Sequence, residues 1–403
     1  MIKVYSKALN ETLETERIIG CIKGSHEGPT LIFIGGIHGN EPAGVFALHK
    51  VIEELNEKKT PVKGNIYAIS GNLWALEHNK RYDKQDLNRL WTSKNIESLI
   101  QCKSNATNTD IAQQKEIYAL IKSILKTENG PFYFMDLHTT SSKTIPFLTV
   151  NDSLLNRKYT MQYPVPVILG IEEYLEGPLL SYINELGYVA FGFEAGHHDD
   201  IVSITNNIAF IYLTLAFTGS VSRTDIDYKH FHQELSKRTL DHQNVYEIYW
   251  RHEILNGDTF TMKPGFVNFQ KIRKGQELAI SNQKIITSSK HGKIFMPLYQ
   301  SQGNDGFFAI KRIPTFFLHL SAILRNANID NLLTLLPGVQ WKSRKKDTLT
   351  VNRKIARFFT KPFFHLLGYR SKQMDKNYLT IKNRETASRT EEYRYTPWIK
   401  NNV

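Results

Sequence analysis

Cysteine is nearly absent: Cys21 and Cys102 are the only two among 403 residues and form no paired spacing. That excludes a disulfide framework and a cysteine-based zinc finger, and it fits a reducing compartment. The opening stretch, Met1 to Lys7, lacks the apolar run of a secretion signal. A long unbroken apolar run is missing as well. The best approach to one, Ile201 to Phe217, is interrupted by Asn206 and Asn207 and is short for a bilayer span, so it reads as a core helix. No internal repeat is present. These absences give a soluble chain, expected in the cytoplasm. Most of the chain also lacks a charge excess, although the total is +12. Residues 338–403 hold 16 Lys or Arg against 5 Asp or Glu, whereas residues 1–337 hold 35 against 34. A neutral body gives no support to a basic surface that steers acidic ligands.

What is present is a globular composition, 41% hydrophobic and 11% aromatic, in a chain long enough for two or three domains. One stretch organises the rest. Leu31-Ile32-Phe33-Ile34 has the length and composition of a buried strand. Gly35 and Gly36 then permit a sharp turn. His38 and Glu41 follow, and Pro42 suits the first turn of a helix whose apolar period continues through Val45, Phe46, Leu48 and Val51. An imidazole and a carboxylate three positions apart on such a turn can point at one ion, as half or more of an open three-ligand zinc site. The turn alone would equally suit a tight connection with a surface histidine and a capping glutamate.

Further along, Gly64 to Asn72, Phe132 to His138, Pro166 to Gly170 and Tyr188 to Glu194 are strand candidates. Helical spacing covers Asp110 to Leu125, and a helix is expected over Ile171 to Leu186. Strands alternating with helices predict an α/β fold with a mixed, largely parallel sheet flanked by helices. The polar stretch Asn79 to Trp91 has no period and reads as a loop. After residue 245, Tyr246 to Ile254, Lys271 to Ile280 and Lys290 to Pro297 alternate and are separated by glycines, which predicts a small β-domain. The end of the chain, with Arg344-Lys345-Lys346, Arg353-Lys354, Phe358-Phe359 and Phe363-Phe364, reads as a basic helical tail. The expected units are a catalytic domain over 1–235, the β-domain over 236–312 and the basic extension over 313–403.

Three apolar strands therefore end in ionisable residues, at His38, His138 and Glu194. Such groups are costly at buried strand ends unless they are paired or bind metal. Two histidines and one carboxylate make a hydrolytic zinc set and leave a second carboxylate free as a base. Gly35-Gly36-Ile37-His38-Gly39-Asn40-Glu41, Asp86-Leu87-Asn88-Arg89, Asp136-Leu137-His138 and Phe193-Glu194-Ala195-Gly196 together resemble the succinylglutamate desuccinylase/aspartoacylase family, of the zinc carboxypeptidase superfamily. The motifs stand in the family's order over residues 30 to 200.

The resemblance implies a zinc-dependent amide hydrolase acting on a small acylated amino acid, with one zinc ion per chain held by His38, Glu41 and His138. It implies that Glu194 moves the catalytic proton, that Arg81 polarises the scissile carbonyl, and that Asn88 and Arg89 grip a substrate carboxylate. Asp136 is a candidate to orient His138, equally readable as a turn hydrogen bond. Two departures stand out. The family's arginine about ten residues before the catalytic glutamate is missing from Ser181 to Gly187, and its C-terminal-domain tyrosine has only Tyr299 as a loose match. His197-His198-Asp199-Asp200 reads as a loop capping the next helix, and Thr139 to Ser142 as loop. A carboxypeptidase or amidase, an ester deacylase, or a binding protein that recruits nucleic acid or membrane through its tail remain alternatives. The oligomeric state is left open.

Overall fold

The structure, a computed structural model, describes residues 1–101, 108–239, 242–327, 333–342, 344, 346–352, 354–355, 361–373 and 378–400. Cys102, Lys345, Arg353, Phe358 and Phe359 lie outside them. The centre is an eleven-stranded sheet. Across it the strands run Lys271–Ile272, Gly292–Phe295, Asp305–Arg312, Val245–Glu253, Val167–Leu169, Phe147–Val150, Val189–His197, Phe132–Thr140, His26–Gly35, Lys63–Ser70 and Ile18–Lys23.

The strands Val189–His197, Phe132–Thr140, His26–Gly35 and Lys63–Ser70 are parallel neighbours. Their apolar runs are buried on both faces, as parallel strands require. Alternation divides them between two cores. Leu31 and Phe33 point toward the helices Ala43–Glu57 and Ile201–Thr218. Ile32 and Ile34 point toward Ile117, Ile121 and Ile124 of the helix Thr109–Thr127. The apolar helix Ile201–Thr218 is a core element, with 14 of its 18 residues buried. The asparagines that interrupt it use their amide N–H groups inside: Asn206 donates to the Ala195 carbonyl at 2.7 Å and Asn207 to the Ser203 carbonyl at 3.0 Å.

Four expectations need correction. The sheet is mixed, as expected, but less parallel than expected, because the unforeseen strand Phe147–Val150 pairs antiparallel with Val189–His197 and the strands from residue 245 onward add further antiparallel pairs. Strands of the 236–312 region extend this same sheet through Val245–Glu253, which lies parallel to Val167–Leu169, while Phe260–Met262, Glu277–Ser281 and Lys284–Thr287 form a separate three-stranded sheet. The helix expected over 171–186 is broken: Gly177 at φ +75° and Pro178 divide a short 3-10 turn from the helix Leu179–Glu185.

The fourth concerns the basic extension, which is not simply helical. Val339–Trp341, Thr348–Asn352, Tyr378–Asn383 and Tyr369–Gln373 form a four-stranded antiparallel sheet over their own apolar cluster. Two of the extension's arginines, Arg325 and Arg370, turn inward. Asp152, fully buried, is ringed by Arg157, Arg325 and Arg370, with Arg325 at 3.0 Å and also 2.9 Å from Glu385. Beyond that sheet, Tyr393 and Trp398 enter the main core. The Tyr393 hydroxyl accepts from Val189 N at 2.9 Å and donates to the Phe132 carbonyl, and Trp398 Nε1 donates to the Tyr133 hydroxyl at 2.8 Å. Tyr393→Phe strands both backbone groups and is expected to lower stability by about 1–3 kcal/mol, read from urea unfolding midpoints.

Candidate active site

The local chain explains how the site residues come together. Gly36 adopts φ +74°, and a Cβ on Gly39 would fall 1.9 Å from the Ala75 backbone, so the turn after Ile34 closes only with glycine there. His38 and Glu41 leave this turn buried, at 4% and 2% exposure. On the neighbouring strand, Asp136 and His138 sit two residues apart and therefore on one face. The parallel register places His138 directly beside Glu194 of the next strand. The polar 79–91 segment, expected as a loop, is shaped by the buried Asp110 carboxylate, which accepts from the backbone N–H groups of Asp83, Lys84 and Gln85 at 3.2, 2.8 and 2.9 Å.

His38, Glu41 and His138 converge, with one donor atom from each lying within 4.8 Å of the others. Glu41 offers Oε1 to His38 Nδ1 at 2.9 Å and Oε2 to His138 Nδ1 at 3.0 Å. The far side of each ring is fixed by another carboxylate: His38 Nε2 lies 3.1 Å from Asp86 Oδ1, and His138 Nε2 lies 2.7 Å from Asp136 Oδ2. Anchoring Nε2 in this way sets ring orientation and leaves both Nδ1 atoms facing the shared centre. Burial alone would raise the Glu41 carboxyl, yet the two imidazoles hold it well below the usual range. For His138, burial pulls downward, but Asp136 and Glu41 outweigh it and keep the ring well above its ordinary value. Two imidazoles and a carboxylate with carboxylate-anchored rings suit a zinc ion.

Glu194 lies beside this set, buried, and its Oε2 has no hydrogen-bond partner. Burial pushes its carboxyl up to about 8, with Glu41 and Asp136 adding to the rise and His138 and Arg81 opposing it. Arg81 is pinned by Asp86 through Nε and Nη2 at 3.2 and 3.0 Å and lies 3.4 Å from Glu41 Oε1. Arg89 donates to Asp305 Oδ2 at 2.9 Å, and Asn88 accepts from Leu179 N at 2.9 Å, tying the loop to the Leu179–Glu185 helix. All seven sequence-predicted residues line one cavity of about 120 Å³.

Asp136 takes the orienting position beside His138. Asp86, quoted in the sequence motif without a role, anchors both His38 and Arg81. Two wall residues had no site role from the sequence: Asp305, brought in by a distant strand, and His198, read there only as part of a helix-capping loop. The latter accepts from the Thr139 hydroxyl at 2.7 Å and donates to Gln300 at 3.2 Å, and burial keeps it neutral. Asp200 caps the following helix as expected, accepting from Val202 N at 2.9 Å. Tyr299 is not at the site: its hydroxyl donates to the Lys263 carbonyl at 2.8 Å and accepts from Phe266 N at 3.0 Å.

Residues 27–209 match the family described as the succinylglutamate desuccinylase/aspartoacylase catalytic domain. A succinylglutamate desuccinylase of Photorhabdus laumondii is 32% identical over 87 residues, 22% of this chain and 27% of that protein. A probable aspartoacylase of Acaryochloris marina is 24% identical over 164 residues, 39% of this chain and 52% of that one. The matched segments thus span about a quarter to a half of these relatives. Among solved structures, the succinylglutamate desuccinylase of Vibrio cholerae aligns with a TM-score of 0.53 at 16% identity, over 77% of this chain and 91% of that one. The product-bound ectoine utilization protein EutE of Ruegeria pomeroyi aligns with a TM-score of 0.52 at 16% identity, over 73% and 88%. At such identities the structural likeness is one of fold.

Proposed function

Because this chain belongs to the succinylglutamate desuccinylase/aspartoacylase family through residues 27–209, we propose that it is a zinc-dependent deacylase that hydrolyses the amide bond of a small N-acyl amino acid. The observation that carries this reading is the convergence of His38, Glu41 and His138 beside a buried, unpartnered Glu194 oxygen. Zinc held by those three residues would supply a Lewis acid and an acidified water at neutral pH. Glu194 takes the proton of the attacking water and returns it to the leaving amine, one group acting as base and then acid. Arg81, fixed by Asp86, presents its guanidinium to the carbonyl oxygen as negative charge develops there, so little reorganisation is needed. Arg89 offers a planar fork for the substrate carboxylate.

A cavity of about 120 Å³ favours a small molecule over a peptide or cell-wall fragment. Part of the extension's basic charge is neutralised inside the protein and is not offered to a nucleic-acid or acidic partner. Arg325 and Arg370 are spent on Asp152, and Arg384 lies 3.9 Å from Glu172.

The test is metal content of the purified chain together with amine release from N-acyl amino acids before and after chelation. About one zinc per chain and chelator-sensitive release are expected, with His38→Ala retaining no zinc. Full zinc occupancy in His38→Ala would remove that residue from the ligand set. A native protein free of metal would overturn the reading.

A further inference from the structure

Charge around the cavity is already balanced. Among the described lining residues, Arg81 and Arg89 are the cations besides the imidazoles, and both face carboxylates. Arg81 lies 3.0 Å from Asp86 and 3.4 Å from Glu41, and Arg89 lies 2.9 Å from Asp305. Asp305 has a second cation, Arg251, at 2.6 Å. The wall near the Leu179–Glu185 helix carries no charge: Ile171, Leu175 and Leu180 supply apolar surface, and Thr149, Asn151 and Ser181 supply hydroxyl and amide groups. Asn151 donates to the Ser181 hydroxyl at 3.0 Å, so these polar groups partly satisfy one another.

The geometry points to a substrate with a single carboxylate, an N-acyl amino acid whose acyl group and side chain are both uncharged, with Asp305 setting the threshold for that carboxylate. This rests on the deacylase reading above. One carboxylate can exchange for Asp305 on Arg89, because Asp305 stays neutralised by Arg251. A second carboxylate would meet the neutral wall and lose its hydration without gaining a cation. An apolar or amide side chain meets matching surface there. Asp305 is thus a specificity-determining residue: it holds Arg89 Nη2, while Nη1 donates to the Asn88 carbonyl, until a carboxylate of suitable reach replaces it.

The experiment compares N-acetyl-leucine and N-acetylmethionine with N-acetylaspartate and N-succinylglutamate on the zinc-loaded full chain. It also measures calorimetric binding of N-acetyl-leucine and N-acetylaspartate to Glu194→Gln. The monocarboxylates are expected to show kcat/KM at least about tenfold higher, a ratio well outside assay scatter. Asp305→Asn is expected to lower KM for the monocarboxylates severalfold with little change in kcat, since the competing carboxylate is gone. Ser181→Arg is expected to narrow or reverse the ratio by adding a cation to the neutral wall. Equal or better turnover of the dicarboxylates by the wild type overturns the inference and leaves the deacylase reading standing. An unchanged KM in Asp305→Asn overturns the role of Asp305. If no amine is released from any compound but Glu194→Gln still prefers N-acetyl-leucine, the hydrolytic reading falls and the substrate class stands; binding of neither ligand removes both.

Discussion

Glu194→Gln is expected to retain its metal while kcat falls by about 10²–10⁴-fold, the range a positioned general base contributes. The amide keeps the shape of the carboxyl but cannot accept the proton of an attacking water. Glu194 is not among the three converging donors, and its Oε2 has no partner, so the substitution breaks no hydrogen bond at that atom. Burial first of all raises its carboxyl to about 8, and the neighbouring Glu41 and Asp136 add to the rise. A cation bound at His38, Glu41 and His138 would favour the ionised form. The wild type should therefore lose activity on the acid side as Glu194 becomes protonated, and the residual activity of Glu194→Gln should lack that limb. Metal analysis beside steady-state kinetics over pH decides the matter. Near-normal turnover would remove the proton-transfer role, and loss of zinc would place Glu194 among the ligands.

Asp152→Asn should be the most destabilising of the substitutions considered, by about 3–5 kcal/mol, the cost of removing one partner from a buried ion cluster. Three arginines converge on this fully buried carboxylate, and two of them, Arg325 and Arg370, come from the C-terminal extension. Without Asp152 their charges stay buried with too little compensation. Burial opposes ionisation of Asp152, but Arg157, Arg325 and Arg370 outweigh it and hold the carboxyl well below its usual value. The sign follows: the stabilisation is fully present above the unfolded value of about 3.9 and is lost as pH falls through the lower native value. Chemical unfolding across pH 2–7 should show the wild type losing stability on acidification more steeply than Asp152→Asn. Parallel profiles would show that Asp152 contributes no acid sensitivity. The cluster also bears on the cavity, since Asn151 and Ile171 line its wall and adjoin Asp152 and Glu172, both held by Arg370. The extension braces this wall of the cavity.

Much of the site could be read from the chain because its signals are local. Four apolar residues, two glycines, His38, Glu41 and Pro42 define a strand, a turn and a helix start within fourteen positions. The two-residue period of a strand puts Asp136 and His138 on one face whatever the rest of the fold does. Register between neighbouring strands is not local. That His138 faces Glu194 depends on how Phe132–Thr140 and Val189–His197 align, and only paired backbones show it. Phe147–Val150 escaped notice because four residues carry too little pattern to separate a strand from a buried loop. The tail was misread for a different reason. A count of charges gives the number of arginines but not their direction: Arg325, Arg370 and Arg384 are drawn inward by Asp152, Glu172 and Glu385, while Arg389 and Arg394 stay exposed.

Sequence by itself therefore determined the strand-turn-helix geometry, the donor types at His38, Glu41 and His138, the spare carboxylate at Glu194 and the family that residues 27–209 match. Each depends on residue chemistry and short-range period. Tertiary structure alone decided that Asp86 anchors both His38 and Arg81, that Asp305 holds Arg89, that the far wall is uncharged and that Arg325 and Arg370 of the extension turn inward. Those are contacts between residues as many as 218 positions apart, as between Asp152 and Arg370. No local propensity encodes such a pairing; it is selected when burial makes an unpaired charge too costly to keep.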